Sequence, residues 1–277
     1  MELWFTEIHT PDFTLGLRVR GTLHREKTPY QELAVLDTFE FGRMLVLDGI
    51  IQTTEKDEFV YHEMLVHVPM FTHPRPRRVM VVGGGDGGSV REILRHPAVE
   101  EVELVEIDER VIAAARQYLP TLSGALDDPR VRINVTDGIR RMAEARDFDV
   151  ILVDSTDPVG PAVGLFHEDF YAAVARALAP GGVFTAQTEC PWVTPQTTLK
   201  AFRGIARSFP VTRLYTAKVP TYSNWSWSFT VGSLGRDPLD EAVPGPMADR
   251  LPTRYYTAAL HRAVFVLPRF VEELIKE

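Results

Sequence analysis

Arg78-Val79-Met80-Val81-Val82-Gly83-Gly84-Gly85-Asp86-Gly87-Gly88 is the stretch on which the fold turns. Val79 to Val82 form a short apolar run rich in β-branched residues, as buried parallel strands do. Glycines then dominate the loop and open a helical pattern over Ser89 to Arg95. Strand, glycine turn and helix in succession make a nucleotide-binding turn, and Gly83, Gly85 and Gly88 fit G-x-G-x-x-G. Many dehydrogenases share that pattern, so the turn alone does not choose a ligand.

The same alternation continues outward. Val99 to Ile107, Val131 to Val135 and Phe148 to Val153 are further apolar runs, with helical patterns over Arg110 to Leu119 and Gly138 to Ala145. A helix over Glu168 to Leu178 stops at Pro180-Gly181-Gly182 and leads into a strand over Val183 to Thr188. This order predicts an α/β fold with a doubly wound parallel sheet. Upstream the texture differs. Leu15 to Leu23 and Gln31 to Asp37 alternate, and Glu40 to Gly49 reads as a hairpin limb ending in an Asp-Gly turn. Glu58 to Pro69 has helical spacing. The expected organisation is a small N-terminal all-β domain over residues 1–57 and a doubly wound α/β domain over 58–277. The proline-rich piece from Pro238 to Pro252 is expected to be a surface connection.

With 277 residues, 45% apolar and 25% charged, the chain has the makings of a substantial core. Its 30 basic and 38 acidic residues leave a net charge of −8, which argues against nucleic acid as a partner and suits cationic ligands. No apolar stretch approaches the ~18 residues of a membrane span. Met1 to Glu7 lacks the pattern of a secretory signal, and the single cysteine, Cys190, cannot form an intrachain disulfide. A cytoplasmic protein is expected.

Asp86 changes the meaning of the glycine turn. A dinucleotide pyrophosphate on this turn would be repelled by a carboxylate, whereas a cation would be attracted. Glu106 ends the second strand about 20 residues on, where an acid holds ribose hydroxyls. Asp137-Gly138 ends the third strand, where an Asp can accept from an adenine amino group. Three acids so placed favour adenosine carrying a positive sulfonium over NAD. After the fourth strand, Asp154 and Asp157 lie at the sheet edge where ligands of such folds bind. Asp also makes turns readily. A pair of carboxylates there can also dock a protonated amine and then take its proton, and without that loss the amine has no lone pair for attack.

Tyr30-Gln31, Leu47-Asp48-Gly49, Asp57-Glu58-Phe59-Val60-Tyr61-His62-Glu63-Met64, the glycine loop, Asp154 to Pro161 and Val219-Pro220-Thr221-Tyr222 together resemble the polyamine aminopropyltransferases, the spermidine synthase family. The likeness runs nearly end to end. It implies a methyltransferase-type Rossmann-like domain behind a small β domain, assembled as a homodimer or homotetramer. It also implies transfer of the aminopropyl group of decarboxylated S-adenosylmethionine to a diamine, usually putrescine, with release of 5′-methylthioadenosine. The donor is then a co-substrate, and no metal or other cofactor is expected. By the same resemblance Asp154 is the general base, Asp157 an anchor for the amines and Asp86 the partner of the donor's amine. Gln31, Glu106, Asp137 and Gly138 would hold the nucleoside, with Pro161 near the adenine and His62 at the donor's tail. Tyr61 and Tyr222 would line the diamine tunnel, with Trp4 and Glu189 at its far end.

Agmatine, cadaverine or norspermidine-type acceptors stay open, because Gln187 to Trp192 and Asn224 to Phe229 are placed to reshape the amine pocket. A small-molecule methyltransferase using intact S-adenosylmethionine and a non-catalytic polyamine-binding protein are the competing classes. The stretch His62-Glu63-Met64-Leu65-Val66-His67 spaces its histidines five apart, so they do not share a helix face as zinc-binding H-E-x-x-H does. As a nucleophile Cys190 would need a base that the sequence does not identify.

Overall fold

The computed structural model describes residues 2–158, 160–222 and 226–276. Residues 3–54 form an antiparallel meander of five strands: β1 (Leu3–Thr10), β2 (Phe13–Lys27), β3 (Glu32–Thr38), β4 (Arg43–Leu47) and β5 (Ile50–Thr54), in that order across the sheet. The β4–β5 hairpin turns at Asp48-Gly49, both with positive φ (50° and 81°), as a tight two-residue hairpin turn requires. Period-2 alternation gives the sheet two apolar faces. Leu33, Val35, Leu45 and Leu47 pack on Val111, Ala114, Leu119 and Leu122 of the following domain, while Val19, Leu36, Met44, Val46 and Ile51 cluster on the other side.

Helix α1 (Glu58–Thr72) leads into the second sheet. It is buried almost all round, so its apolar residues carry no single stripe. The strands that follow are β6 (Arg78–Gly83), β7 (Glu101–Glu106), β8 (Val131–Val135), β9 (Phe148–Asp154), β10 (Leu178–Gln187), β11 (Val211–Lys218) and β12 (Ser226–Ser233). They are ordered β11-β12-β10-β9-β6-β7-β8. On β6, Val79 and Val81 face a core shared with α1, while Met80 and Val82 face the opposite core with Phe170, Tyr171 and Ile205. Burial on both faces is why β6 and β9 read as continuous apolar runs. Between the strands lie α2 (Gly88–Leu94), α3 (Glu109–Tyr118), α4 (Pro120–Ser123), α5 (Gly138–Glu144), α6 (Glu168–Ala177) and α7 (Pro195–Ser208), with α8 (Ala258–Ala263) and α9 (Arg269–Lys276) after the last strand.

Two expectations need correction. The sheet is mixed: β12 runs antiparallel to both β10 and β11. The link from Lys218 to Ser226 is too short for the dozen-residue crossover that parallel strands need, so the pair must form a hairpin. Second, β10 begins at Leu178, before the Pro180-Gly181-Gly182 stop. Leu178 pairs with Phe148 and pairing resumes at Val183 with Val150, the extra residues bulging out through Gly181 at φ 79°. Among the described residues no helix is long and apolar enough to cross a membrane.

Candidate active site

Strand β6 lies between β7 and β9, both parallel to it. Chain connections leave the sheet in opposite directions on either side of it, and that opens a crevice at the strands' carboxyl ends. Gly83, Glu106 and Asp154 end β6, β7 and β9 there, with Gly83 registered beside Asp154. Gly84 has φ 70°, and a Cβ on it would come within 2.8 Å of Asp154 Oδ2, so only glycine lets the loop press against this carboxylate. Ser89, at the start of α2, donates its hydroxyl to Asp154 Oδ2 at 2.7 Å. Burial raises the Asp154 carboxyl above the usual range, the charge of His62 opposes that rise, and Asp86 adds to it.

Asp86 is 8% exposed and accepts from the Gly88 N–H at 2.6 Å. His62 faces it at 3.4 Å from the neighbouring helix. Glu106 accepts from the Gly85 and Asp108 N–H groups at 3.2 and 3.0 Å, and burial pushes its pKa up to about 7. Gln31 reaches across from the β domain and donates to Asp108 at 3.0 Å. Asp137 is the N-cap of α5, its Oδ1 accepting from Ile139 N at 2.7 Å, so its type and position also have a structural cause. Tyr30, Gln31, Val82, Glu106, Asp137, Gly138 and Ile139 line one continuous cleft with Asp86 and Asp154. Its mixed polar and apolar lining suits a nucleoside with a short tail.

A second cavity adjoins the first and shares Gln52, Tyr61, Ser155, Thr156 and Tyr222 with it. The Tyr61 and Tyr222 rings meet edge-on with centroids 5.5 Å apart. Tyr222 donates its hydroxyl to the Gln52 carbonyl, and Asp57 holds the preceding residue through the Thr221 N–H and hydroxyl, both at 2.8 Å. Beyond the tyrosines the lining turns acidic: Glu7, Asp157 and Glu189, with His9 beside Glu7 at 3.2 Å. Glu189 is 4% exposed, sits at φ 69°, and its Oε1 meets no hydrogen-bond partner among the described residues. Burial first, then the neighbouring Asp157 charge, push its pKa up to about 9. Glu7 is pushed up to about 7 by burial, although it accepts from Ile51 N at 2.8 Å. Two cavities lined with acidic side chains thus meet at an aromatic waist, with Asp154 in the first.

The family profile described as the spermine/spermidine synthase domain matches residues 58–237, and the spermidine synthase tetramerisation domain profile matches residues 3–55. The chain belongs to the spermine/spermidine synthase family. It is a transferase enzyme of the polyamine aminopropyltransferase kind. Relatives called polyamine aminopropyltransferase include one from Bacillus mycoides (strain KBAB4) and one from Thermoanaerobacter sp. (strain X514), each 54% identical with both chains covered in full. A solved spermidine synthase in complex with the transition-state analogue AdoDATO is similar at TM-score 0.96 and 40% identity, over 99% of this chain and 95% of that one. The spermidine synthase of Thermotoga maritima is similar at TM-score 0.95 and 40% identity, over 99% and 94%. The small β domain and mixed α/β sheet are therefore those of a spermidine synthase, with its methyltransferase-like core.

In this enzyme the structure brings Gln31, Tyr61, His62, Asp86, Glu106, Asp137, Gly138, Asp154, Asp157, Glu189 and Tyr222 to the two cavities. Trp4 does not join them. It is 58% exposed and lines neither cavity, because alternation along β1 turns Phe5, Glu7 and His9 inward and Trp4 and Thr6 outward. The Pro161 side chain and residues Asn224 and Trp225 lie outside the described residues. Glu7, His9, Gln52 and Ser89 are additions that the motifs did not pick out. The signal for Glu7 was available: it sits mid-strand between inward-facing neighbours, a poor place for an acid without a task. His62 and His67 contact different partners, Glu58 and Glu92 respectively, as their five-residue spacing requires.

Proposed function

We propose that this enzyme transfers the aminopropyl group of decarboxylated S-adenosylmethionine to putrescine, forming spermidine and 5′-methylthioadenosine. The observation that carries this reading is the pair of acidic cavities joined at Tyr61 and Tyr222, with the half-buried carboxylate of Asp154 lining the first, next to the shared Ser155. The donor's nucleoside would lie along Glu106 and Asp137, with Pro161 near the base, and its ammonium against Asp86 beside His62. The acceptor would thread the aromatic waist, one nitrogen beside Asp154 and the other toward Asp157, Glu189 and Glu7.

The reaction balances without help from another group. Asp154 accepts a proton from the acceptor's ammonium, and the freed nitrogen bonds to the methylene beside sulfur. The carbon–sulfur bond breaks, its electron pair goes to sulfur, and neutral methylthioadenosine leaves. A sulfonium is already an activated leaving group, so the protein's task is placement and charge, and the donor serves as co-substrate with no metal or further cofactor. The tetramerisation-domain match supports a homotetramer or homodimer, and we place the enzyme in the cytoplasm.

Mass analysis of products after incubation with putrescine and each donor tests this. Spermidine with methylthioadenosine is expected; methylated amine without spermidine would make the protein a methyltransferase. Agmatine and cadaverine in the same assay rank the acceptors, and a preference for either would overturn putrescine alone.

Putrescine binding is also expected to release protons at about pH 7.5. In the empty site Glu189, with a pKa of about 9, carries its proton at that pH, whereas an arriving ammonium favours the ionised form. Calorimetry in two buffers of different ionisation heat reads the number released. Zero release, or uptake, contradicts this account of the acidic end.

A further inference from the structure

Behind Asp86 the charges alternate in an unbroken line. His62 Nε2 faces Asp86 at 3.4 Å, and its Nδ1 meets Glu58 Oε2 at 2.7 Å. Glu58 Oε2 accepts from Arg91 Nη2 at 2.8 Å, Arg91 Nε donates to Glu92 at 2.9 Å, and Arg95 closes the far end on Glu92 at 2.7 Å. The His62 and Glu58 side chains are 2% and 5% exposed, so water screens little of this. The proposed transfer uses Asp86 and touches His62, but nothing in it calls on Glu58.

We propose that Glu58 is a positioning residue that sets how strongly Asp86 attracts the donor's ammonium. The proposal rests on the aminopropyl-donor reading of the site. Glu58 pairs with the imidazolium from the side away from the cavity, so His62 does not close its whole charge on Asp86. Asp86 then keeps negative charge for the ligand. The imidazole cannot swing away easily: it lies against Gly88, where a Cβ would sit 2.2 Å from the ring. The remaining groups facing it are Asp154 at the end of β9 and Tyr61 on its own helix, 5.4 Å away ring to ring. Burial works against charge on His62, yet Asp86 and Glu58 together hold its pKa well above the ordinary value.

Glu58→Gln keeps the shape and removes the charge. His62 should then pair with Asp86 alone, weakening decarboxylated S-adenosylmethionine about tenfold while 5′-methylthioadenosine, which has no amine, stays within about twofold. The imidazole pKa should also fall back toward the ordinary histidine value, so donor affinity in the variant should rise with pH as His62 gives up its proton and frees Asp86. The wild type should show no such titration, and the double variant Glu58→Gln/His62→Gln should lose it again. Equal weakening of both ligands, or a flat profile in Glu58→Gln, overturns the proposal. If the variant does not fold, nitrogen NMR of histidine-labelled wild type reads the ring directly. An imidazolium at pH 8 supports the proposal and a neutral ring at pH 7 overturns it. A wild type that makes no aminopropyl product would instead sink the function itself, whatever Glu58 does.

Discussion

Asp154→Asn should lower kcat by at least two orders of magnitude, roughly 10²- to 10⁴-fold, while 5′-methylthioadenosine binds nearly as before. The amide has the same shape and can still accept from Ser89, so the loop packing survives. What it lacks is basicity. An acceptor ammonium that docks beside it keeps its proton, and a nitrogen without a lone pair cannot displace the sulfonium. The pH dependence follows from the same group. Burial raises the Asp154 carboxyl above the usual carboxylate range. A raised carboxyl is protonated earlier on acidification, so activity should fall as pH drops through that elevated value and recover above it. Steady-state rates of the two proteins across pH check both points. A variant retaining more than a tenth of the activity, or a wild-type profile flat to about pH 5, contradicts a carboxylate base.

Asp86→Asn should weaken decarboxylated S-adenosylmethionine by about 10- to 100-fold, the worth of a charge-assisted contact in a buried site. 5′-Methylthioadenosine should change little, because it shares the nucleoside and lacks the amine. The variant should also discriminate less against intact S-adenosylmethionine, whose carboxylate meets a negative Asp86 in the wild type and a neutral amide in the variant. Titrating the three nucleosides into both proteins separates these effects. Equal losses for all three would mean that Asp86 shapes the loop, through its contact to Gly88 N, and does not read the ligand's charge.

The parts of this enzyme legible in the sequence are those built by short-range rules. The β6–glycine–α2 turn is written in eleven consecutive residues, and Glu106 and Asp154 follow as the last residues of their own strands. The mixed edge of the sheet was harder to see. Trp227, Phe229 and Val231 alternate, but direction is set by the brevity of the β11–β12 link, which the apolar pattern does not report. Glu7 and His9 escape motif reading because they matter only once the β domain docks over Asp157 and Glu189. Trp4 shows how sharply a period of two decides function: one residue along β1 separates the cavity wall from solvent. The Glu58–Arg91 contact joins two helices through buried charge, and helix periodicity within α1 gives no hint of it.

A crystal structure of this enzyme with 5′-methylthioadenosine and putrescine bound tests the whole arrangement at once. The nucleoside should lie along Glu106 in the first cleft, one putrescine nitrogen should sit within hydrogen-bond reach of the Asp154 carboxylate, and the other should meet the Glu7, Asp157 and Glu189 end. Putrescine bound elsewhere, or threaded between the tyrosines with neither nitrogen near Asp154, would contradict the account.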